Sequence, residues 1–468
     1  MHIKNFLHNE LYIKELEITP AQRWCILGNN NSGIDRLIDL FSGNIKEFSA
    51  EILDLPDYPG VLSFQLQQEV YEEELRNDDS DFLNRMDPGT LVCDFLPGYQ
   101  NYLPLLKAFG MDHCLQLGYR QLSSGQSRKL LFLQKLTSGA TTLVIQNPYD
   151  GLDQKSCQEL DLALQQLSGR NIKLILLISN RSDIPSWCTH LGLIKAGRLE
   201  VSGLIEDVLP LLKGPKESRL SPPPIVGNDL QNHPQNEVDD LKTELIYLRD
   251  GFAGYGDKKL FEGLDLTVFT GDHTIISGPN GCGKSTLLDI IIGDNPKCYA
   301  NELRVFGIRR GTGESIWDIK KHMGIVSPAL HREHRIPGSA LHVVLSGLYD
   351  SIGLYTKVSG TEIKTARHWL NWLSLGEKSD VPFRRLTFAE QRLVLIGRAL
   401  IKGPKLLILD EPTQGLDDVH RKSLLDLLEE IAAKKLSTIL FVSHRKDEQR
   451  SIFKTQIQLD TYAAYMVH

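Results

Sequence analysis

The sequence predicts an α/β fold written twice: two domains in tandem, each built on a parallel β-sheet with helices on both faces. Three observations point there. Four segments recur in the same order in both halves of the 468-residue chain. Within each half, short apolar runs bounded by turn residues alternate with helical stretches, the pattern of a buried parallel sheet. Between the halves lies a stretch rich in helix and strand breakers.

The recurrence is specific. LGNNNSGIDR at 27–36 returns as SGPNGCGKST at 277–286, and LSSGQSRKLLFLQKL from Leu122 returns as LTFAEQRLVLIGRAL from Leu386. TLVIQNPYDGLDQ from Thr142 returns as LLILDEPTQGLDD from Leu406, and LLISNRSD from Leu176 returns within ILFVSHRKD from Ile439. The first pair is offset by 250 residues and the other three by 264, so the second copy gains a net 14 residues after its first motif. So long a period indicates duplicated domains and not a solenoid. The domains are expected at 1–212 and 243–468. The linker, 213–242, includes GPKESRLSPPPIVGNDLQNHPQNEVDDL and is extended around Pro222–Pro224.

Composition is that of an ordinary globular protein, 41% hydrophobic and 24% charged, with a formal net charge of −7. That balance does not favour nucleic acid as a partner. Apolar runs such as Leu174–Ile178 fall far short of the roughly 20 residues needed to span a bilayer. The N-terminus MHIKNFLHNE lacks the pattern of a signal peptide, which places the chain in the cytoplasm. Seven cysteines with no CxxC pair offer neither a zinc site nor a disulfide framework.

In each copy the expected strands are the apolar runs 24–27, 143–145 and 174–178, then 274–277, 406–409 and 438–443; SLLDLLEEIAAKK at 423–435 is an expected helix. The second copy carries a full phosphate-loop motif after its first apolar strand, Gly278-Pro279-Asn280-Gly281-Cys282-Gly283-Lys284-Ser285-Thr286. Its glycines let backbone N–H groups turn toward an anion, and the helix that follows adds the positive end of its dipole. Lys284 can neutralise β- and γ-phosphate oxygens, and the Ser285 hydroxyl can ligate Mg²⁺. Asp410, ending the run LLILD, can complete the Mg²⁺ shell, and Glu411 is placed to polarise an attacking water. His444 ends another apolar strand, within reach of a γ-phosphate.

On these residues the whole chain resembles the ABC ATPase family in two copies. The resemblance implies a RecA-like core and an α-helical signature subdomain in each domain, and ATP sandwiched in a head-to-tail intramolecular dimer. The phosphate loop of one domain then faces the signature of the other. It also implies that Tyr255 stacks on adenine, that Ser123, Gly125 and Gln126 (LSSGQ) form a signature, that Asp153 belongs to a D-loop and that His444 is the switch histidine. Gly278, Asn280, Gly281, Gly283 and Thr286 join Lys284 and Ser285 as nucleotide-binding residues, with Glu411, His444 and Lys284 as the catalytic set.

The first copy departs from this pattern in its phosphate chemistry. Ile34 stands for the lysine, Asp35 for the Mg²⁺-binding hydroxyl, Gln146 and Asn147 for the carboxylate pair, and Asn180 for the histidine. A carboxylate about 4 Å from a phosphate costs on the order of 4 kcal/mol at an effective dielectric near 20. The second copy shows the reverse damage. Its signature reads Leu386-Thr387-Phe388-Ala389-Glu390, with a methyl group where backbone should approach phosphate. Pairing the copies yields one complete site and one degenerate on both sides. The family also has a glutamine after its third core strand; here Ser327 and Pro328 stand at that place, and Gln65 is the nearest candidate in the first copy.

Two blocks, 309–327 and 343–355, narrow the resemblance to a tandem-ATPase subfamily associated with molybdate transport genes. They read either as a partner-docking surface or as a turn, a helix start and packed aromatics. The preferred function is the ATPase subunit of a membrane transport system. Its integral membrane permease would lie on separate chains, and the protein would sit peripherally at the cytoplasmic face of the inner membrane. The alternative is a soluble ATP-driven switch or regulator acting on ribosomes or nucleic acid. The short, proline-rich, acidic linker and the single intact site favour the first.

Overall fold

A computed structural model describes residues 1–29, 32–77, 87–122, 124–168, 172–212, 242–255, 258–334, 336–463. The expected linker, apart from residue 242, lies outside the described residues. The chain forms two compact units, built mainly from its first and second halves.

The first unit holds nine strands: β1 His2–His8, β2 Leu11–Glu17, β3 Arg23–Leu27, β4 Ile52–Asp54, β5 Pro59–Leu62, β6 Thr142–Gln146, β7 Lys173–Ile178, β8 His190–Lys195 and β9 Arg198–Leu204. They form one sheet in the order β4-β1-β2-β9-β8-β3-β7-β6-β5. The run β8-β3-β7-β6-β5 is parallel throughout, whereas β1 pairs antiparallel with β2 and β4. Its helices include α1 Ile34–Phe41, α2 Phe64–Arg76, α3 Ser124–Thr137 and α4 Gln154–Ser168. Leu143, Ile145, Leu174, Leu176 and Ile178 face one core, and Val144, Ile175 and Leu177 face the other with Ile34, Leu37 and Leu40. Apolar residues at successive strand positions thus enter opposite cores, which is why these strands read as continuous hydrophobic runs.

The second unit repeats the plan with β10 Glu244–Tyr255, β11 Lys258–Phe269, β12 Thr274–Ser277, β13 Glu302–Val305, β14 Ile308–Arg309, β15 Met323–Val326, β16 Leu406–Asp410, β17 Thr438–Val442 and β18 Thr455–Gln458. Strands β11-β10-β13-β14 form an antiparallel sheet, and β15-β16-β17-β12-β18 a parallel one. The parallel order matches β5-β6-β7-β3-β8 of the first unit strand for strand, so the duplication read in the motifs extends to topology. The helices used below are α5 Lys284–Ile292, α6 Ala340–Ser346, α7 Gly360–Trp372, α8 Phe388–Leu400 and α9 Asp418–Ala433.

The block 309–327 has a structural role. The Glu314 carboxylate accepts from the backbone N–H of Gly311 (2.9 Å) and Thr312 (2.8 Å), and Ser315 caps a short helix, Ile316–Lys320. Glu314 also pairs with Arg310 at 3.4 Å, whose buried guanidinium packs over Gly293 at the C-terminus of α5. A cation there complements the helix dipole. Trp317 is 62% exposed, as is Tyr355 in the second block at 79%, while Val343 to Ser346 of α6 are buried. Among the described residues no helix is long and apolar enough to cross a membrane.

Gly293 ends α5 at φ 92°, and an added Cβ would lie 2.3 Å from Arg310 Nη2. Gly293→Ala is therefore expected to destabilise the second unit by about 1–2 kcal/mol from the left-handed backbone alone, read as a lower urea midpoint with an unchanged slope.

Candidate active site

Parallel strands present their C-terminal ends at one edge, where ligands of open α/β sheets bind. In the second unit the loop after β12, the end of β16 and the end of β17 meet there, with β17 between the other two. Register aligns Ile276 with Val442 and Val442 with Asp410.

The phosphate loop runs from Ser277 into α5. Gly283 begins the helix at φ 100°, and a Cβ there would press on Leu260 and Phe261 at 3.1–3.3 Å. Only glycine meets both demands. The buried Lys284 folds back over the loop, its Nζ donating to the carbonyls of Gly278 (2.8 Å) and Pro279 (2.9 Å). Gly278 and Gly281 also adopt positive φ, Asn280 lies in the loop between them, and Thr286 is buried in the first turn of α5.

Ser285 Oγ donates to Asp410 Oδ2 at 2.9 Å. Burial pushes the Asp410 carboxyl up to about 6, reinforced by the neighbouring Glu411 charge and opposed by Ser285, Lys284 and Arg392. Burial acts upward on Glu411 too, but the bond from His444 and the charges of His444, Lys284 and Arg392 outweigh it and hold the carboxyl below its usual value. Glu411 Oε1 and His444 Nδ1 are 3.1 Å apart. Glu411 has φ 44°. A non-glycine residue in the left-handed region carries strain of about 1–2 kcal/mol, and strain of this kind collects at functional sites.

Hard oxygen donors at Ser285 and Asp410, with a single carboxylate, suit Mg²⁺, which keeps several waters and completes its shell from phosphate. Among the described residues no cluster of three or more His, Cys, Asp or Glu provides a cage for a metal made of protein alone.

The expected sandwich residues are placed less fully. Tyr255 ends β10, but its side chain lies outside the described residues, as does Ser123. Gly125 lies in the first turn of α3, where a Cβ would make only ordinary contacts from 3.4 Å outward. Gln126 Nε2 donates to Cys114 Sγ at 3.4 Å. Asp153 caps α4, its carboxylate accepting from Ser156 N–H at 2.7 Å.

In the first unit the loop geometry persists and the chemistry does not. Gly33 begins α1 at φ 93°, but Ile34 is buried in the core. Asp35 Oδ1 accepts from Gln146 Nε2 at 2.9 Å. The hydroxyl-to-carboxylate bond of Ser285 and Asp410 is here reversed, with the acid on the helix and the neutral partner on the strand. Asn147 keeps the positive φ of Glu411, 41°.

Register corrects one sequence expectation. Gln146 aligns with Leu177, whereas Asp410 aligns with Val442. Leu177 therefore corresponds to Val442, an offset of 265, and Ser179 stands where His444 stands; Asn180 corresponds to Arg445. The two serines that invited the other alignment are not equivalent. Asn147 faces Ser179 as Glu411 faces His444, with Asn147 Nδ2 donating to Ser179 Oγ at 3.2 Å.

The second unit's signature is a closed helix cap. Thr387 accepts from Glu390 N–H, and Glu390 accepts from Thr387 N–H; the buried Glu390 also pairs with Lys378 at 2.5 Å. Such a reciprocal cap is the capping-box pattern T-x-x-E. Phe388 is stacked against His331, centroids 4.6 Å apart. His331 lies in the short helix Pro328–Glu333, which Ser327 caps, and bonds Gln391 Oε1 at 2.9 Å, so the segment lacking the family's glutamine packs directly on α8. Burial and the Arg392 charge depress the His331 imidazole to about 3.

Sequence reasoning missed the arginine three residues beyond each signature glycine or its alanine substitute. Arg128 Nη1 donates to Pro148 O at 2.6 Å and Nε to Gln67 Oε1 at 3.2 Å. The charge of the buried Arg392 pulls downward on both Asp410, whose carboxyl burial nevertheless raises, and Glu411. The signal was available in the repeat, since both arginines follow the same offset of 264.

A phosphate loop, an adjacent carboxylate pair and a histidine at one edge of a parallel sheet define a P-loop ATPase. Residues 261–414 match the family model described as ABC transporter, and the chain belongs to the ABC ATPase family. It is 33% identical over 452 residues to the ABC transporter ATP-binding protein ModF of Escherichia coli K12, covering 94% of this chain and 91% of that one. It is 29% identical over 210 residues to the molybdate import ATP-binding protein MolC of Haemophilus influenzae, covering 45% of this chain and 76% of that one. Among solved structures, the archaeal ribosome recycling factor aABCE1 in complex with a ribosomal stalk protein aligns at TM-score 0.55 and 16% identity. That match covers 93% of this chain and 83% of that one, a likeness of fold.

Restoring Ile34→Lys and Asp35→Ser in a Lys284→Ala protein is expected to leave ATP hydrolysis at background. Gln146, Asn147 and Ser179 still supply neither carboxylate nor imidazole. Phosphate release by the triple variant measures this.

Proposed function

We propose that the chain binds and hydrolyses ATP at one competent site. That site is formed by Lys284, Ser285, Asp410, Glu411 and His444 of the second unit together with the signature Ser123, Gly125 and Gln126 and the D-loop Asp153 of the first. Support within the second unit is the convergence of loop, carboxylates and histidine at one sheet edge. Support for the pairing is the complementary damage: the half with an intact phosphate loop has the altered signature, and the reverse. The domains implied are 1–212 and 243–468.

In this mechanism Lys284 leaves the carbonyls of Gly278 and Pro279 for the β- and γ-phosphate oxygens. Loop N–H groups and the α5 N-terminus complete the cradle. Ser285 and Asp410 would hold Mg²⁺, which when bound neutralises phosphate oxygens. Glu411, kept ionised beside His444, accepts a proton from the attacking water, and His444 donates toward the γ-phosphate. Tyr255 stacks on adenine.

The work driven by hydrolysis is proposed to be transport through a permease on separate chains, with the protein peripheral at the cytoplasmic membrane face. Similarity to ModF and MolC makes a molybdate-related system the leading candidate. The fold likeness to a ribosome recycling factor over nearly the whole chain favours a second reading, an ATP-driven switch on ribosomes.

Glu411→Gln is expected to lower turnover by about 100-fold or more while retaining ATP, measured by phosphate release and nucleotide retention. Cross-linking this trapped variant in cells and identifying what copurifies separates the two readings: an integral membrane protein supports transport, and ribosomal proteins or RNA overturn it. Gly125→Asp in the first unit is expected to lower turnover by about 100-fold or more, because a carboxylate near the γ-phosphate costs several kcal/mol. Gly125 has room for a side-chain carbon, so folding, checked by circular dichroism, should survive; wild-type turnover would refute the pairing.

A further inference from the structure

The second unit holds a buried carboxylate that the hydrolytic chemistry leaves unused. Glu448 is 0% exposed and ends the one-turn helix Lys446–Glu448 just after His444. Ser443 Oγ donates to Glu448 Oε2 at 2.5 Å and accepts from Arg445 N–H at 3.0 Å, so this hydroxyl is committed on both sides. The Thr413 hydroxyl also lies against the Glu448 carboxyl and, after Ser443, opposes the upward pull of burial on it. Ser443 directly precedes His444, and Thr413 lies two residues beyond Glu411. One carboxyl thus ties together the chain on either side of the 3.1 Å contact between His444 and Glu411.

Glu448 is an unusual occupant for such a position. Its nearest cation, Arg445, has Nε 4.0 Å from Oε1, and Oε1 makes no hydrogen bond among the described residues. Burial raises its carboxyl above the ordinary range against the pull of the two hydroxyls. A residue chosen only for packing would be apolar here.

The first unit provides the contrast. By the register above, Ile178, Tyr149 and Asp183 stand for Ser443, Thr413 and Glu448. Ile178 offers no hydroxyl. Tyr149 donates its hydroxyl to Asp161, and the partly exposed Asp183 accepts from Asn180 Nδ2 at 3.1 Å. All three members differ in the unit that lacks both Glu411 and His444.

We propose that Glu448 is a positioning residue for ATP hydrolysis, clamping Ser443 to Thr413 and thereby setting the geometry of His444 on Glu411. This rests on the reading that Glu411 and His444 carry the reaction. A misplacement near 1 Å at a reacting group costs about 100-fold.

The test uses the full-length protein and compares wild type, Glu448→Ala, Glu448→Gln, His444→Ala and the Glu448→Ala/His444→Ala double variant. It reads kcat, KM for ATP, affinity for a fluorescent ATP analogue, and Tm. Glu448→Ala is expected to lose about 10- to 100-fold in kcat with nucleotide affinity unchanged, while Glu448→Gln, which still accepts from both hydroxyls, recovers most of it. In the His444→Ala background, Glu448→Ala should add little, because both act through one group. Wild-type kcat for Glu448→Ala beside an impaired His444→Ala overturns the clamp alone. A loss that multiplies fully with His444→Ala also overturns it. Undiminished hydrolysis by His444→Ala would sink the underlying reading and the clamp with it. If Glu448→Ala fails to fold, Ser443→Ala carries the same test: it should show the same kcat loss and non-additivity, and wild-type kcat overturns the proposal.

Discussion

Parallel pairing of β12, β17 and β16 is the constraint on which the site depends. Three segments, the first of them more than 100 residues before the other two in sequence, reach one edge because their strands are neighbours that run the same way. β16 ends in Asp410, and β12 and β17 lead directly into the phosphate loop and His444 just beyond the sheet. Ser285 then meets Asp410, and Glu411 meets His444, across the segments that follow these strands. The turn after β16 is strained, since Glu411 sits at positive φ.

The first unit shows which parts of this arrangement belong to folding and which to chemistry. Its strand order, its left-handed glycine at the start of α1 and its positive-φ residue after β6 are all retained. What differs is how charge is handled. Ile34 is absorbed into the core where Lys284 is held by two carbonyls. Asp35 and Gln146 satisfy one another with the acid on the opposite partner. Asn147, a residue that tolerates left-handed backbone better than glutamate, occupies the strained turn. The polar groups at these positions of the first unit are closed on each other.

Much of this was legible in the sequence because it is written in short segments. The duplicated strands, the phosphate loop, the carboxylate pair and the glycines that turn the chain each lie within a few residues and carry a local physical signature. Register between strands is a long-range property, and there the reading slipped. A shared serine aligned Asn180 with His444, while sheet pairing puts Ser179 at that place, because the segment from the start of α4 to the start of β7 is one residue shorter than the segment from the start of α9 to the start of β17. LTFAE was read as a spoiled signature; its geometry shows that the same letters spell a capping box, with Glu390 bonded back to Thr387 and Lys378. Arg128, Arg392 and Glu448 went unremarked because a single charged residue in a helix or turn has no pattern until its partners are known.

The carboxylates of the second unit divide along the same line. Asp410 and Glu448 are both buried, and burial raises both, yet their hydroxyl partners differ in consequence. Ser285 lies on the helix that follows the phosphate loop and, in the proposed mechanism, exchanges Asp410 for a ligand. Ser443 is locked between Glu448 and the Arg445 N–H and has no such exchange to make. The first bond is therefore suited to being broken in each catalytic cycle and the second to surviving it. A site that must open for phosphate and still return His444 to Glu411 needs one bond of each kind. In the first unit the corresponding positions hold an amide-to-acid pair in place of the first bond and isoleucine in place of the hydroxyl of the second.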